Sequence, residues 1–208
     1  MMMQQLESLY ESERKRLYLL AQADDPQGEY LQPVFGSGNR NAGVVLIGEA
    51  PGAEETRRQT PFVGKAGKQL DALLETAGIC RNEIYITNVV KYRPVVRGNG
   101  HTKNRTPSGK EIAAALPLLQ EEISCLNCST IVTLGNVPLG AILRLSDDAP
   151  IKSTIGQLHG TVNRITIARQ RITLFPLYHP ASGIYNRALL PVMELDAAAL
   201  GEHLVKQK

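Results

Sequence analysis

Three polar residues in this chain stand directly behind short apolar runs. Glu49 follows Val44-Val45-Leu46-Ile47-Gly48, Asn88 closes Ile84-Tyr85-Ile86-Thr87, and His179 follows Ile172-Thr173-Leu174-Phe175-Pro176-Leu177-Tyr178. A carboxylate can take a proton or offset positive charge, and an imidazole can donate to a growing negative charge. A primary amide donates and accepts at once, which suits the edge of a heterocyclic base. Phe62 belongs to a chain with 5% aromatics and no Trp; it offers either a flat face for a planar ligand or a core residue beneath a loop. No Ser or Cys sits in an elbow that would make a nucleophile triad. The His and Cys spacing makes no zinc set. Gly48-Glu49-Ala50-Pro51-Gly52 has the wrong spacing for a P-loop or a dinucleotide fingerprint.

A parallel sheet is what must position these groups. Continuous β-branched runs bounded by Gly and Pro read as strands buried on both faces. In an open α/β sheet, ligands bind at the carboxyl ends of such strands. Pro51 and Gly52 cannot prolong the first strand, so Glu49 falls at the mouth of a cleft. The second strand, read as running on through Val89 and Val90, brings Asn88 level with it. Residues 131–135 and 172–177 read as two further strands. Between them the periodicity predicts helices over residues 65–77, ended by Gly78, over 108–123, opened by a Ser108/Glu111 capping box and carrying Pro117, and over 137–145. Residues 4–22 form an amphipathic helix expected to pack on the body, and 156–163 with 165–167 read as a hairpin. His159 reads as structural.

Composition sets the limits. The chain has 208 residues and is 43% hydrophobic, which fits one globular domain, 1–208, with residues 1–30 as its N-terminal helical part. Its net charge of +3, from 23 basic and 20 acidic residues, is too mild to establish a polyanion partner, so the placement of charge decides. Residues 91–107 carry Lys91, Arg93, Arg97, Lys103 and Arg105 with no acid, and read as an extended, mobile loop that could meet a phosphate backbone. Three cysteines, Cys80, Cys125 and Cys128, argue against a disulfide framework and suit a reducing cytoplasm. No apolar stretch has the length of a membrane span.

Five motifs in order then make a specific match. Gly48-Glu49-Ala50-Pro51-Gly52-Ala53-Glu54-Glu55, Pro61-Phe62-Val63-Gly64-Lys65-Ala66-Gly67, Tyr85-Ile86-Thr87-Asn88-Val89-Val90-Lys91, Asn104-Arg105-Thr106-Pro107 and His179-Pro180-Ala181-Ser182 resemble uracil-DNA glycosylases of the fourth, thermophile-type family. The resemblance implies a three-layer α/β/α sandwich with a four-stranded parallel central sheet. It implies a monofunctional glycosylase that flips uracil out of DNA and hydrolyses its N-glycosidic bond, the first step of base-excision repair. In that reading Glu49 and His179 are catalytic, and Ala50, Glu55, Phe62 and Asn88 meet the uracil, with Glu55 near its C5 position. Lys91, Arg93, Asn104, Arg105, Pro180, Ser182 and Arg187 meet DNA, the segment 180–187 gripping the backbone and wedging into the gap. The partner is uracil-containing DNA, with no membrane, for a monomer in the cytoplasm.

The chain departs from that family in two places. Members usually carry four cysteines for a [4Fe–4S] cluster: a Cys-x-x-Cys pair near the N-terminus, one in Lys-Cys-Arg-Pro, and one in the next helix. Here no cysteine precedes Gly36, and Tyr92 stands at the third place. The expectation is no cofactor, with the N-terminal helix and Tyr92 packing in the cluster's place and Cys125 and Cys128 as ordinary buried thiols. The basic loop is also longer. A related branch of glycosylases carries there a histidine that becomes bonded to the abasic sugar; here Asn104 stands at about its place and His101 lies earlier. The alternatives are therefore a non-cleaving or covalently trapping binder of uracil-containing or damaged DNA, and a nucleotide-binding α/β protein unrelated to repair.

Overall fold

A computed structural model describes residues 2–98, 101–126, 128–148 and 153–206. In chain order the elements are α1 (Met2–Asp24), β1 (Ser37–Gly38), β2 (Val44–Gly48), α2 (Ala53–Arg58), α3 (Lys65–Thr76), a 3-10 turn (Arg81–Glu83), β3 (Tyr85–Asn88), β4 (Val95–Gly98), β5 (His101–Asn104) and α4 (Gly109–Leu126). They continue with β6 (Thr130–Leu134), α5 (Asn136–Leu145), α6 (Ile155–Leu158), β7 (Asn163–Ile167), β8 (Gln170–Leu177), α7 (Pro180–Tyr185), a second 3-10 turn (Arg187–Leu189) and α8 (Leu190–Val205).

The main sheet runs β1-β3-β2-β6-β8-β7. Its four central strands, β3, β2, β6 and β8, are parallel, as the sequence predicts, and β1 and β7 extend the edges antiparallel. Side chains alternate between two helical layers. Val45, Ile47 and Ile131 face one core with Leu6, Tyr10 and Leu17 of α1, Leu119 and Ile123 of α4 and Ile142 of α5. Leu46, Val132, Leu134 and Phe175 face the other with Leu70 and Leu74 of α3 and Leu200 of α8. Both faces of these strands are thus dry, which explains their unbroken apolar runs. Helix α1 packs on α4. Helix α4 begins with the expected box: Glu111 N–H donates to Ser108 Oγ (3.3 Å), and Ser108 N–H donates to a Glu111 carboxylate oxygen (2.7 Å).

Three local expectations are corrected. Residues 155–158 form the short helix α6, because Thr154 and Gln157 make a capping box, the Thr154 N–H donating to Gln157 at 3.0 Å; the hairpin is instead β7 with β8. Strand β3 stops at Asn88, since beyond it the N–H groups of Val89 and Val90 turn to the carbonyls of Gly48 (2.9 Å) and Glu49 (3.1 Å). The basic stretch is an ordered hairpin, with Val95 opposite Asn104 and Arg97 opposite Thr102; the tip residues 99 and 100 lie outside the described residues. Its base is tied to the end of α1: the Val95 N–H donates to Asp24 at 2.7 Å, and Arg97 pairs with Asp25.

Candidate active site

The register of β2 and β3 sets Gly48 opposite Asn88, so Glu49 and Asn88 leave the sheet at one level. Asn88 is buried, and its Oδ1 has no partner among the described residues. A buried amide oxygen without a partner is rare and points to something that binds it. Phe62 lies against the same spot. A Cβ built on Gly48 would stand 2.4 Å from Asn88 Oδ1 and 2.6 Å from two atoms of the Phe62 ring, so Gly48 is the floor between amide and ring. Across from them, the ring centroids of Phe62 and His179 are 6.1 Å apart, inclined at 36°.

His179 caps α7 with its own ring: Nδ1 accepts the Ala181 N–H at 3.1 Å. That bond leaves Nδ1 without a proton and places the ring's one proton on Nε2, the free donor. Burial pushes the imidazole below its ordinary 6.5, so it is neutral near pH 7. Glu49 is half-buried; burial raises its carboxyl above 4.5, against an opposing hydrogen bond from Thr106.

Phe62 is held in the left-handed backbone region (φ 55°), which costs a non-glycine residue energy that its surroundings must offset. Arg81 donates to the carbonyls of Pro61 (3.0 Å) and Phe62 (2.8 Å). Gly67 lets the helix start pass beneath, since a Cβ there would lie 2.0 Å from the Phe62 carbonyl oxygen. Glu55 completes the loop: one carboxylate oxygen accepts from Val63 (3.0 Å) and Gly64 (2.8 Å), the other from Gly52 (3.2 Å). Its carboxylate thus ties together the loops that carry Glu49 and Phe62.

The outer residues divide. Lys91 is not a DNA contact: its ammonium is fully buried and paired with Glu122 of α4 at 2.5 Å. Arg105 is corrected too. Its guanidinium is spent on Asp24, Glu111 and the carbonyls of Val95 and Thr106, and it fastens α1, α4 and the hairpin together. Pro180 is buried at the first position of α7, where its ring starts the helix. Arg93 and Asn104 do meet at the mouth: Arg93 Nε donates to Asn104 Oδ1 at 2.6 Å, and Asn104 Nδ2 lies 3.1 Å from where a Gly52 Cβ would be. Ala50 and Ser182 are half-buried near the strand ends, and Arg187 is exposed beyond α7. Sequence reasoning alone passes over Glu122. Glu122 is hidden because one acid in an apolar helix face reads as an irregularity. Tyr185, inside the segment 180–187 expected to wedge into the gap, is 89% exposed at the end of α7.

The sequence is matched by known proteins. The model of the Uracil DNA glycosylase superfamily matches residues 35–198. The chain belongs to the uracil-DNA glycosylase superfamily. Among its relatives are type-4 uracil-DNA glycosylases of Saccharolobus solfataricus, 36% identical over 82% of this chain and 76% of the relative, and of Pyrobaculum aerophilum, 36% identical over 79% and 80%. The type-4 enzyme of Thermotoga maritima is 43% identical over 51% of this chain and 52% of its own length. The superfamily match opens at Phe35, so α1 precedes it, yet Leu6, Tyr10 and Leu17 of α1 are in the same buried core as the strands.

Proposed function

We propose that this protein is a monofunctional uracil-DNA glycosylase, which flips uracil from DNA and hydrolyses its N-glycosidic bond as the first step of base-excision repair. The observation that carries it is the buried, unpartnered Asn88 amide oxygen, set beside the Phe62 ring and level with Glu49. Uracil stacks on Phe62. Asn88 Oδ1 accepts from uracil N3–H and its NH₂ donates to O4; cytosine presents the reverse pattern and is rejected. Ala50 borders the base. The C1′–N1 bond breaks and its electron pair leaves with uracil as an anion whose charge spreads to O2. Nε2–H of neutral His179 donates there, a contribution of about 3–4 kcal/mol by analogy with oxyanion donors. Water bonds C1′ and gives its proton to Glu49, whose raised pKa suits a base. Arg93, Asn104, Ser182 and Arg187 meet the DNA backbone, and exposed Tyr185 fills the gap left by the base.

The same reading takes the enzyme to work as a cytoplasmic monomer without a cluster. The residues do not fit one: the chain has three cysteines, of which Cys80 is exposed, Cys125 half-buried and Cys128 buried. Tyr92, where a ligand is expected, donates its hydroxyl to Glu111 at 2.8 Å. The described residues contain no group of three or more His, Cys, Asp or Glu able to hold a metal, and no helix long and apolar enough to cross a membrane.

The test is a labelled single-uracil oligonucleotide incubated with protein and run on a denaturing gel before and after alkali. Alkali-dependent cleavage that collapses in Asn88→Ala and His179→Ala supports the proposal. A band that survives denaturant would indicate covalent trapping, with exposed His101 the first residue to replace. Retained, uncut uracil-DNA would overturn the enzyme.

A further inference from the structure

We propose that the buried Lys91–Glu122 pair, completed by Tyr10 of α1, is a positioning frame that holds the Asn88 and Glu49 loops at one level; this rests on the function proposed above. The two side chains are 1% and 0% exposed. Such a pair is poor value for stability alone, because apolar residues of matched volume serve as well or better. Its bonds show what it fixes. The three Lys91 protons go to Glu122 Oε2 (2.5 Å), Thr87 Oγ1 (2.6 Å) and the Asn88 carbonyl (2.6 Å), so the ammonium is saturated. The Asn88 carbonyl lies at the end of β3, and the next two N–H groups bind Gly48 and Glu49. Lys91 therefore clamps residue 88 from below while residues 89 and 90 clamp 48 and 49.

Glu122 anchors the frame to the helical layer. Its Oε1 accepts from Thr87 (2.9 Å) and from the Tyr10 hydroxyl. Tyr10 has one proton and gives it to Glu122, so Tyr85 donates to Tyr10 across 2.6 Å. Tyr85 begins β3, and Phe35 stacks on Tyr10 with centroids 4.2 Å apart. Helix α1, which precedes the superfamily match, thus reaches the strand that presents the reading amide.

The test replaces the pair by an apolar one, Lys91→Met with Glu122→Met, which avoids leaving either charge alone. Wild-type near-UV circular dichroism and a cooperative thermal transition establish folding. Single-turnover excision should fall about 10- to 100-fold, the range expected for a misplacement of an ångström or so. Affinity for uracil-containing DNA should hold, since phosphate contacts carry most of it. By NMR, amide exchange at Val89 and Val90 should quicken and the Asn88 side-chain amide should shift. A folded double variant with the wild-type rate and wild-type exchange overturns the frame. If wild-type protein excises nothing, the proposed function fails and the exchange arm still decides the frame. If the double variant does not fold, Tyr10→Phe decides: roughly 5-fold slower excision with faster exchange at 89 and 90 supports it, and no change in either overturns it.

Discussion

Replacing Gly48 by Ala is the sharpest probe of the pocket. Gly48 ends β2 with its backbone in no special conformation, so the effect of a methyl group is steric alone. The added carbon would lie 2.4 Å from Asn88 Oδ1 and 2.6 Å from the Phe62 ring, where ordinary contact begins near 3.4 Å. One partner must retreat by about an ångström. Neither is free: Asn88 is held through its carbonyl by Lys91, and Phe62 through its carbonyl by Arg81, with Glu55 accepting from the next N–H, that of Val63. Overpacking of this kind costs about 1–3 kcal/mol of stability. A displacement of about an ångström at the reacting centre costs on the order of 100-fold in rate, about 2.7 kcal/mol of barrier. Single-turnover excision of a uracil oligonucleotide would measure the rate, with thermal unfolding beside it. Gly43→Ala is the control, since its Cβ meets only Ser129 Oγ at 3.5 Å. Gly48→Ala with the control's excision rate would refute the placement of the base between Asn88 and Phe62.

Other outcomes follow from the same geometry. His179→Ala should lower the single-turnover rate about 100- to 1,000-fold with little change in DNA affinity, measured by rapid quench and by anisotropy. The wild-type rate should fall toward acid as Glu49, whose carboxyl burial raises above 4.5, takes a proton, while burial keeps His179 neutral near pH 7; Glu49→Gln should abolish that acid limb in a pH–rate profile. Glu111 is held down to about 2 from 4.5, chiefly by Arg105, so the folded state favours its ionised form. Its stabilisation is complete above pH 4.5 and is lost as pH falls toward 2, so the gap in unfolding midpoint between wild type and Glu111→Gln should close over that window. Tyr185→Ala should slow excision from duplex more than from single-stranded DNA, because a gap needs filling only in a stacked helix; equal slowing on both would remove Tyr185 from the wedge.

The strand ends were readable because their signal is local. A continuous apolar run followed by Gly-Glu-Ala-Pro-Gly leaves few structures open, and a parallel sheet then brings Glu49, Asn88 and His179 to one edge whatever the helices do. The basic residues misled because charge in a sequence says nothing about its partner. Lys91, Arg97 and Arg105 read as one cationic loop, yet Glu122 lies 31 residues from Lys91, and Asp25 and Asp24 lie 72 and 81 residues from Arg97 and Arg105. Glu122 and Asp24 sit in helices whose patterns look merely amphipathic, and Asp25 directly follows α1. The tie that Glu55 makes was hidden for the converse reason: three backbone N–H groups needed an acceptor, and nothing local in the sequence says that this acid supplies it. In both cases the deciding term is the cost of leaving a buried polar group unpaired, and that term depends on contacts distant in sequence. Among the described residues, the one amide oxygen at this edge that escapes the rule, Asn88 Oδ1, is for that reason the strongest mark of a ligand.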